Sequence, residues 1–278
     1  MNAQNDNTLS SKTGEAWGAF FNDSDLSWCI PDQIESDDIT RFAHSAWIQR
    51  LLNLIKLPIS KPVHVLEAGC GTAMYSLSLA TLGFNINIDA FDYNPGALVF
   101  AYKLMEKMDL VDVKARVHLG IGNLLSIEAD TDTYDLVFNQ AVLEYFVDET
   151  ERQQALTEMV RVTKPGGWVA VITQHTAHPF THFWQLLGWK GYTNQPAVTP
   201  TNPQRLRDEF SALGLQRIAV DGINPWKAFF FYPAWYKHWR ITTQMVYLLG
   251  RFLERFVPLP QRLQAYLAIQ IIVVGQKL

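Results

Sequence analysis

The feature that most constrains this chain is a pair of glycines that follows directly on a short apolar run. The run Val63 to Leu66 leads into Gly69-Cys70-Gly71, and a helix-compatible segment, Thr72 to Leu82, comes next. This order predicts a strand, a tight turn and a helix. It is the opening unit of a doubly wound α/β fold, which holds a nucleotide-like ligand at its first turn.

Two departures from the dinucleotide-binding pattern narrow the range of ligands that this turn can bind. The third glycine of G-x-G-x-x-G is replaced by Met74, so the close helix approach to a pyrophosphate is missing. Glu67, just before the turn, would repel phosphates but suits a ligand with an ammonium group and a positively charged centre. The acid expected about 20 residues further on is Asp92, which can accept hydrogen bonds from both ribose hydroxyls.

The segment Glu67 to Thr72, together with Asp92, resembles the first two motifs of the class I S-adenosylmethionine-dependent methyltransferases. Further segments resemble the later motifs of this family and follow in its order: Gly122 to Leu124, Tyr134 to Phe138, Asn139 to Tyr145 and Val162 to Gly167. The resemblance implies an α/β, Rossmann-like fold with a doubly wound, seven-stranded, mostly parallel sheet. It also implies S-adenosyl-L-methionine as the cofactor.

The resemblance assigns cofactor-binding roles to Glu67, Ala68, Gly69, Gly71, Asp92, Tyr93, Asn123, Leu124 and Gln140. The residues before and in the turn are expected to hold the methionine part, and Asp92 the ribose. Tyr93, Asn123 and Leu124 are expected to contact the adenine, and Gln140 to lie beside the sulfonium. Asn123 stands where the family usually has an acid, and its side-chain oxygen can still accept the adenine amino proton.

Methyl transfer from a sulfonium needs orientation, exclusion of water and often a base on the acceptor side. His175, directly after the fifth predicted strand, is our first candidate for that base. Tyr145 is the second candidate catalytic residue, because the resemblance implies that it lies near the reacting methyl group. Many members of the family have histidine at this position, so a histidine base is excluded there. For His175, the alternative is a structural or solvent-facing role. His175, His178 and His182 have spacings that would suit a metal site, but Pro179 interrupts them and no nearby acid or cysteine completes a set, so no metal is predicted.

Length and composition limit the classes of protein to which this chain can belong. The 278 residues, 48% of them apolar, suit one large domain or a domain with a cap. Two cysteines are too few for a disulfide scaffold or a cysteine zinc site. The N-terminus lacks a basic segment followed by an apolar one, and the longest uncharged run near the C-terminus has 14 residues, short of the roughly 20 that a spanning helix needs. We therefore predict a cytoplasmic protein.

The C-terminal part is basic and aromatic. Residues 226–278 carry seven Lys or Arg and one acid, a net charge of +6, whereas the whole chain carries −4. Eight of the fourteen residues 226–239 are aromatic, and a helical apolar stripe follows. The segment is compatible with a hydrophobic lid over a large acceptor, a dimer interface or peripheral membrane contact. No recognised nucleic-acid-binding pattern is present.

Connection lengths suggest six segments. The predicted division is N-terminal helices or lid 1–60, cofactor-binding core 61–174, cap insertion 175–201, core helix and sixth strand 202–221, helical aromatic cap 222–262, and last core strand 263–278. Within these, Ile39 to Ile55 is predicted as one helix and Val113 to Leu119 as the third strand.

The sequence therefore predicts a biosynthetic, small-molecule methyltransferase that acts on a small, lipid-like or aromatic acceptor by in-line displacement. Two alternatives stay open: S-adenosylmethionine-dependent chemistry other than methyl transfer, and a non-catalytic scaffolding or regulatory role.

Overall fold

A computed structural model describes residues 36–55, 57, 61–82, 85–107, 111–179, 198–223, 225–226, 249, 252–253, 256–257 and 259–278. Within these residues the strands are β1 Val63–Ala68, β2 Ile86–Asp92, β3 Val117–Ile121, β4 Tyr134–Gln140, β5 Thr163–Gln174, β6 Gln216–Ile223 and β7 Gln270–Gln276. The α-helices are α1 Ser36–Ala43, α2 Ala46–Leu54, α3 Met74–Ala80, α4 Pro95–Lys107, α5 Val111–Lys114, α6 Glu149–Val162, α7 Pro203–Ala212 and α8 Gln261–Leu267, and a 3-10 helix spans Leu143–Tyr145.

The strands form one seven-stranded sheet in the order β3-β2-β1-β4-β5-β7-β6. Strands β1 to β5 pair in parallel, whereas β7 pairs antiparallel with both β5 and β6. The strand order reverses between β1 and β4, and ligands of such sheets bind at this point, outside the carboxyl ends of the strands. The predicted fold class, a doubly wound, seven-stranded, mostly parallel sheet, is confirmed.

Helices cover both faces of the sheet. We call the two faces the α3 face and the α6 face. On the α3 face, Val65, Phe138 and Ile172 pack with helix residues such as Leu77. On the α6 face, the core includes Val137, Val171 and Leu156. Because both faces are covered, the central strands are nearly continuous apolar runs.

The N-terminal helical segment differs from the prediction. The single helix predicted over Ile39 to Ile55 is broken, because His44 and Ser45 turn back on the carbonyls of Arg41 and Phe42. Ser45 has extended backbone dihedrals (φ −68°, ψ 160°), so α2 starts afresh at Ala46. The approximate apolar periodicity ran across the break and concealed it.

The third strand was also predicted too early. Residues Val111–Lys114 form a short helical turn, and Arg116 donates to the carbonyl of Val113 before β3 begins at Val117. The valines of this stretch suggested a strand, but the parallel register starts only where Val117 pairs with Ile88.

None of the described helices combines the length and apolar character needed to cross a membrane. The division into lid, core and cap stays a prediction. Residues 1–35, 180–197 and 227–248, on which most of the predicted lid and cap falls, lie outside the described residues.

Candidate active site

The turn between β1 and α3 is fixed by the end of β2. The backbone amides of Gly69 and Cys70 both donate to the carbonyl of Phe91, at 2.8 and 2.9 Å. Gly69 and Gly71 have φ values of +80° and +52°, a conformation that favours glycine. The turn predicted from the sequence is therefore present and is tied to the strand that carries Asp92.

The two glycines differ in what surrounds them. A Cβ on Gly69 would lie 2.5 Å from Cγ2 of Val142, so this position is filled by the protein itself. A Cβ on Gly71 would meet no atom within 4 Å. Gly71 thus leaves open space against bare backbone, which fits a ligand that lies close to the turn.

Asp92 joins the turn to the second strand. Its Oδ2 accepts a hydrogen bond from the Gly71 amide at 2.8 Å, and its Oδ1 accepts one from the Asn94 amide at 2.8 Å. Burial raises the pKa of the Asp92 carboxyl, although the backbone donors oppose this shift. A carboxylate oxygen can accept more than one hydrogen bond, so Asp92 keeps acceptor capacity for two ribose hydroxyls.

Glu67 lies beneath the turn, and its side chain is buried. Its Oε2 accepts hydrogen bonds from the Ser76 amide, at 3.0 Å, and from the Ser76 hydroxyl. Burial raises the pKa of the Glu67 carboxyl to about 8, against the opposing effect of the Ser76 bonds, and the Asp92 charge adds to the rise. Glu67 therefore fastens β1 to α3 and is protonated near neutral pH without a ligand.

The raised pKa of Glu67 predicts proton-linked binding. A bound ammonium favours the charged carboxylate, so its pKa falls on binding and a proton is released. We expect the affinity for S-adenosylhomocysteine to rise with pH up to about 8. Calorimetry at about pH 7, in two buffers with different ionisation enthalpies, measures the released proton. Glu67→Gln should abolish the release, and equal release from this variant would contradict the prediction.

The predicted adenine contacts lie after β2 and β3. Asn123 is 8% exposed, and its Oδ1 accepts a hydrogen bond from the Leu125 amide at 2.9 Å. This oxygen therefore already holds one donor and can serve an adenine amino group only through its second lone pair. Leu124 is buried in the α6-face core, and Tyr93 is partly exposed directly after Asp92. The adenine roles of all three residues stay predictions.

The segment after β4 packs onto the glycine turn. Ala141 has a φ of +54°, which is uncommon for a residue with a Cβ, and its amide donates to the Ile172 carbonyl. The chain then places Val142 against Gly69 and forms the 3-10 helix that carries Tyr145. Gln140, the last residue of β4, is partly exposed, whereas Tyr145 is 5% exposed.

Glu144, next to Tyr145, is fully buried, and its hydrogen bonds join separate parts of the fold. Its carboxylate accepts a hydrogen bond from the Thr173 hydroxyl at 2.8 Å, and its backbone carbonyl accepts one from the Thr199 amide at 2.7 Å. Burial raises the pKa of this carboxyl, and the Arg152 charge opposes the rise. These bonds connect the 3-10 helix to β5 and to the segment that begins at residue 198.

His175 lies between β5 and the start of β7. It is 5% exposed, and its Nδ1 is 3.1 Å from the Ala268 carbonyl. His178 is also buried, with Nε2 3.1 Å from the Leu267 carbonyl, and the two ring centroids are 5.0 Å apart. Burial lowers the pKa of His175 to about 4, and the His178 charge adds to this effect. A carbonyl partner requires Nδ1 to be the donor, which leaves Nε2 of His175 as the acceptor.

Within the described residues, no group of three or more His, Cys, Asp or Glu side chains is arranged to hold a metal ion. His182, the third histidine of the predicted spacing, lies outside the described residues.

Sequence reasoning missed several residues that shape this site. Ser76 holds Glu67, Val142 packs on Gly69, and Thr173 holds Glu144. Their residue types did not indicate these roles, because each acts through a packing contact between separate elements that only the structure shows.

Comparisons with known proteins agree with this geometry. Residues 65–167 match the methyltransferase domain family. The demethylmenaquinone methyltransferase of Listeria welshimeri is 28% identical over 152 residues, which cover 54% of this chain and 58% of that protein. The chain thus spans little more than half the length of this relative.

Two solved structures share the fold. A S-adenosylmethionine-dependent methyltransferase from Thermotoga maritima aligns with a TM-score of 0.58 at 13% identity, over 96% of this chain and all of the other. The [4+2]-cyclase SpnF aligns with a TM-score of 0.51 at 18% identity, over 84% of each chain. The domain match over residues 65–167, the strand order and the glycine turn with its acid are all similar to those of S-adenosylmethionine-dependent methyltransferases.

Proposed function

We propose that this chain transfers a methyl group from S-adenosylmethionine to a small, lipid-like or aromatic acceptor. One observation carries the proposal: the open space at Gly71 lies beside a partly buried acid, Asp92, whose carboxylate accepts a hydrogen bond from the Gly71 amide. A ribose and an amino-acid chain need such a combination of bare backbone and carboxylate oxygen. The cofactor supplies the activated methyl group, and the protein supplies binding, orientation and exclusion of water.

Calorimetry with S-adenosylhomocysteine tests the cofactor part of this proposal. We expect binding by the wild-type chain with a dissociation constant in the micromolar range, about −8 kcal/mol. No detectable heat of binding at a protein concentration well above this range would contradict it.

For the acceptor, we propose a molecule with a quinone-type or other oxygen-bearing aromatic ring. Support comes from the matched relative, which is a demethylmenaquinone methyltransferase. The aromatic sequence of residues 226–239 also suits an apolar acceptor, although most of it lies outside the described residues.

A second candidate is different chemistry on the same scaffold, because the likeness to the [4+2]-cyclase SpnF shows that this fold is shared by a protein named for another reaction. The non-catalytic scaffolding role, a homodimer, peripheral membrane contact through the basic C-terminal part and a cytoplasmic location stay predictions.

For the acceptor side, we propose His175 as the base, acting through Nε2, and Tyr145 as a residue that contacts the acceptor. His175 is neutral near pH 7, since its pKa is lowered to about 4. His175→Gln is expected to lower turnover with cell extract as the acceptor source while leaving the S-adenosylhomocysteine affinity unchanged.

His178→Gln is the matched control, because His178 is equally buried and also faces a backbone carbonyl. Equal losses of turnover in the two variants would assign a structural role to the pair and would remove His175 as the base.

A further inference from the structure

Three glutamines meet at the carboxyl edge of the sheet, beside the proposed cofactor site. Gln140 is the last residue of β4, Gln174 the last of β5 and Gln270 the first of β7. Gln174 and Gln270 are direct partners across the antiparallel pair, and Gln140 is the partner of Ile172. Directly opposed residues have Cβ atoms about 4.5–5.5 Å apart, and diagonal neighbours remain within reach of long side chains.

All three side chains project from the same face of the sheet. Side chains alternate along a strand, so Gln140 follows Phe138, Gln174 follows Ile172 and Gln270 precedes Ile272 on one face. Phe138, Ile172 and Ile272 all belong to the α3-face core. The pairing of β4 with β5 has no register shift between Leu136 and Gln140. The pairing of β5 with β7 has none from Trp168 to Gln174. The glutamines therefore form a row on the α3 face, which we call the amide row.

The side chains of the amide row are open to a ligand. Each of the three residues is partly exposed. Among the residues that the structure describes, none of these three side-chain amides makes a hydrogen bond. Two other glutamines differ, since Gln264 of α8 donates to the Gly222 carbonyl and Gln276, at the far end of β7, donates to the Gly166 carbonyl.

One pair of charged groups next to the row on this face consists of Arg50 and Asp221. Arg50 of α2 bonds Oδ2 of Asp221 on β6 at 3.0 Å, and Oδ1 of Asp221 accepts the Gly222 amide at 2.7 Å. An amide presents one acceptor oxygen and two donor hydrogens without a formal charge. The row therefore suits neutral oxygen-bearing groups, namely hydroxyls, which donate and accept hydrogen bonds, and carbonyls, which accept them.

We propose that Gln174 and Gln270, together with Gln140, form the subsite that binds the hydroxyl or carbonyl groups of the methyl acceptor. This inference rests on the proposed function, because it assumes that the acceptor lies beside the cofactor at this edge. Gln140 lies nearest in the sheet to β1 and the glycine turn, whereas Gln174 and Gln270 lie one and two strands further on. The row thus leads from the donor methyl group to the acceptor's oxygen atoms, and it selects hydroxylated rings over unsubstituted rings of the same size.

The test compares two ring probes by calorimetry on the S-adenosylhomocysteine-loaded full chain, kept free of oxygen: 1,4-dihydroxynaphthalene and naphthalene. The wild-type chain should bind the dihydroxy ring at least tenfold more tightly. Gln174→Leu combined with Gln270→Leu should remove this preference and leave the S-adenosylhomocysteine affinity unchanged. Gln216→Leu is the matched control, because Gln216 is exposed at the opposite edge of the sheet and should keep the preference.

Three results would overturn the proposal: no binding of the dihydroxy ring to the loaded wild-type chain, no preference between the rings, or a preference that survives the double substitution. The S-adenosylhomocysteine affinity of the double variant shows whether it is folded. If it is not, the second variant combines Gln174→Asn with Gln270→Asn, which keeps the amide groups on shorter side chains. This variant should weaken the preference for the dihydroxy ring. Failure of the wild-type chain to bind S-adenosylhomocysteine would instead contradict the proposed function itself.

Discussion

Asp92→Ala is expected to lower the affinity for S-adenosylhomocysteine at least tenfold, equivalent to about 1.4 kcal/mol. The substitution removes the acceptor that we propose for the ribose hydroxyls. It also removes the 2.8 Å bond to the Gly71 amide, which holds the turn that the ligand contacts. Both losses act on binding, and hydrogen bonds to a charged acceptor are each worth about 1.5–3 kcal/mol. Calorimetry on the two proteins measures the difference.

Asp89→Ala is the control for Asp92→Ala. Asp89 lies on the same strand and also accepts a hydrogen bond, from the Tyr134 hydroxyl at 2.9 Å, so the control removes an equal charge from β2. We expect it to leave the affinity within a factor of about two of wild type, since side chains alternate along a strand and Asp89 projects from the face opposite to Asp92. Equal affinities for Asp92→Ala and wild type would contradict the assignment of the ribose site.

Gly71→Ala is expected to lower the same affinity at least tenfold, while the stability falls only by the backbone cost of the left-handed position. The new Cβ would meet no protein atom within 4 Å, so it projects into the space that we assign to the cofactor. The positive φ of +52° adds a backbone cost of about 1–2 kcal/mol to the folded state. Calorimetry and thermal unfolding of the same sample separate the two effects.

Two other glycines serve as comparisons for Gly71. Gly214 has a φ of +75° and also open surroundings, so Gly214→Ala should show the backbone cost alone, with normal affinity. Gly69→Ala should be destabilised further, by about 1–3 kcal/mol, because its Cβ would lie 2.5 Å from Val142 Cγ2. Normal affinity in Gly71→Ala would show that the cofactor does not use this space.

The sequence was informative where function depends on local spacing. The glycine turn needs left-handed backbone at fixed positions, and Asp92 must end the second strand, so both can be read from residue types about 20 positions apart. The start of α4 also depends on neighbouring residues alone, since the side chain of Asn94 caps this helix by accepting the Gly96 amide at 2.7 Å.

Features that depend on how separate elements pack together could not be predicted. The burial of Glu67 against Ser76, and hence its raised pKa, follows from how α3 packs on β1. The setting of His175 depends on the carbonyl of Ala268, 93 residues away in the chain. The amide row needs the strand order and the antiparallel register of β7, which only the structure provides.

The assignments of the cofactor part and of the acceptor part of the site therefore depend on different evidence. The donor side is built from β1, β2 and the turn between β1 and α3, within the matched methyltransferase domain. Two members of the amide row, Gln174 and Gln270, lie beyond the matched residues, as does His175. The structural likeness to the [4+2]-cyclase SpnF shows the fold alone, so the reaction has to be measured.

The most direct test of the central claim is transfer of a labelled methyl group. The full chain is incubated with S-adenosylmethionine that carries a deuterated methyl group and with cell extract, and products are followed by mass spectrometry. We predict that S-adenosylhomocysteine forms together with an equal amount of a deuteromethylated small molecule, and that Asp92→Ala forms neither. Intact S-adenosylmethionine, or a label that remains on a nucleoside product, would contradict methyl transfer by this chain.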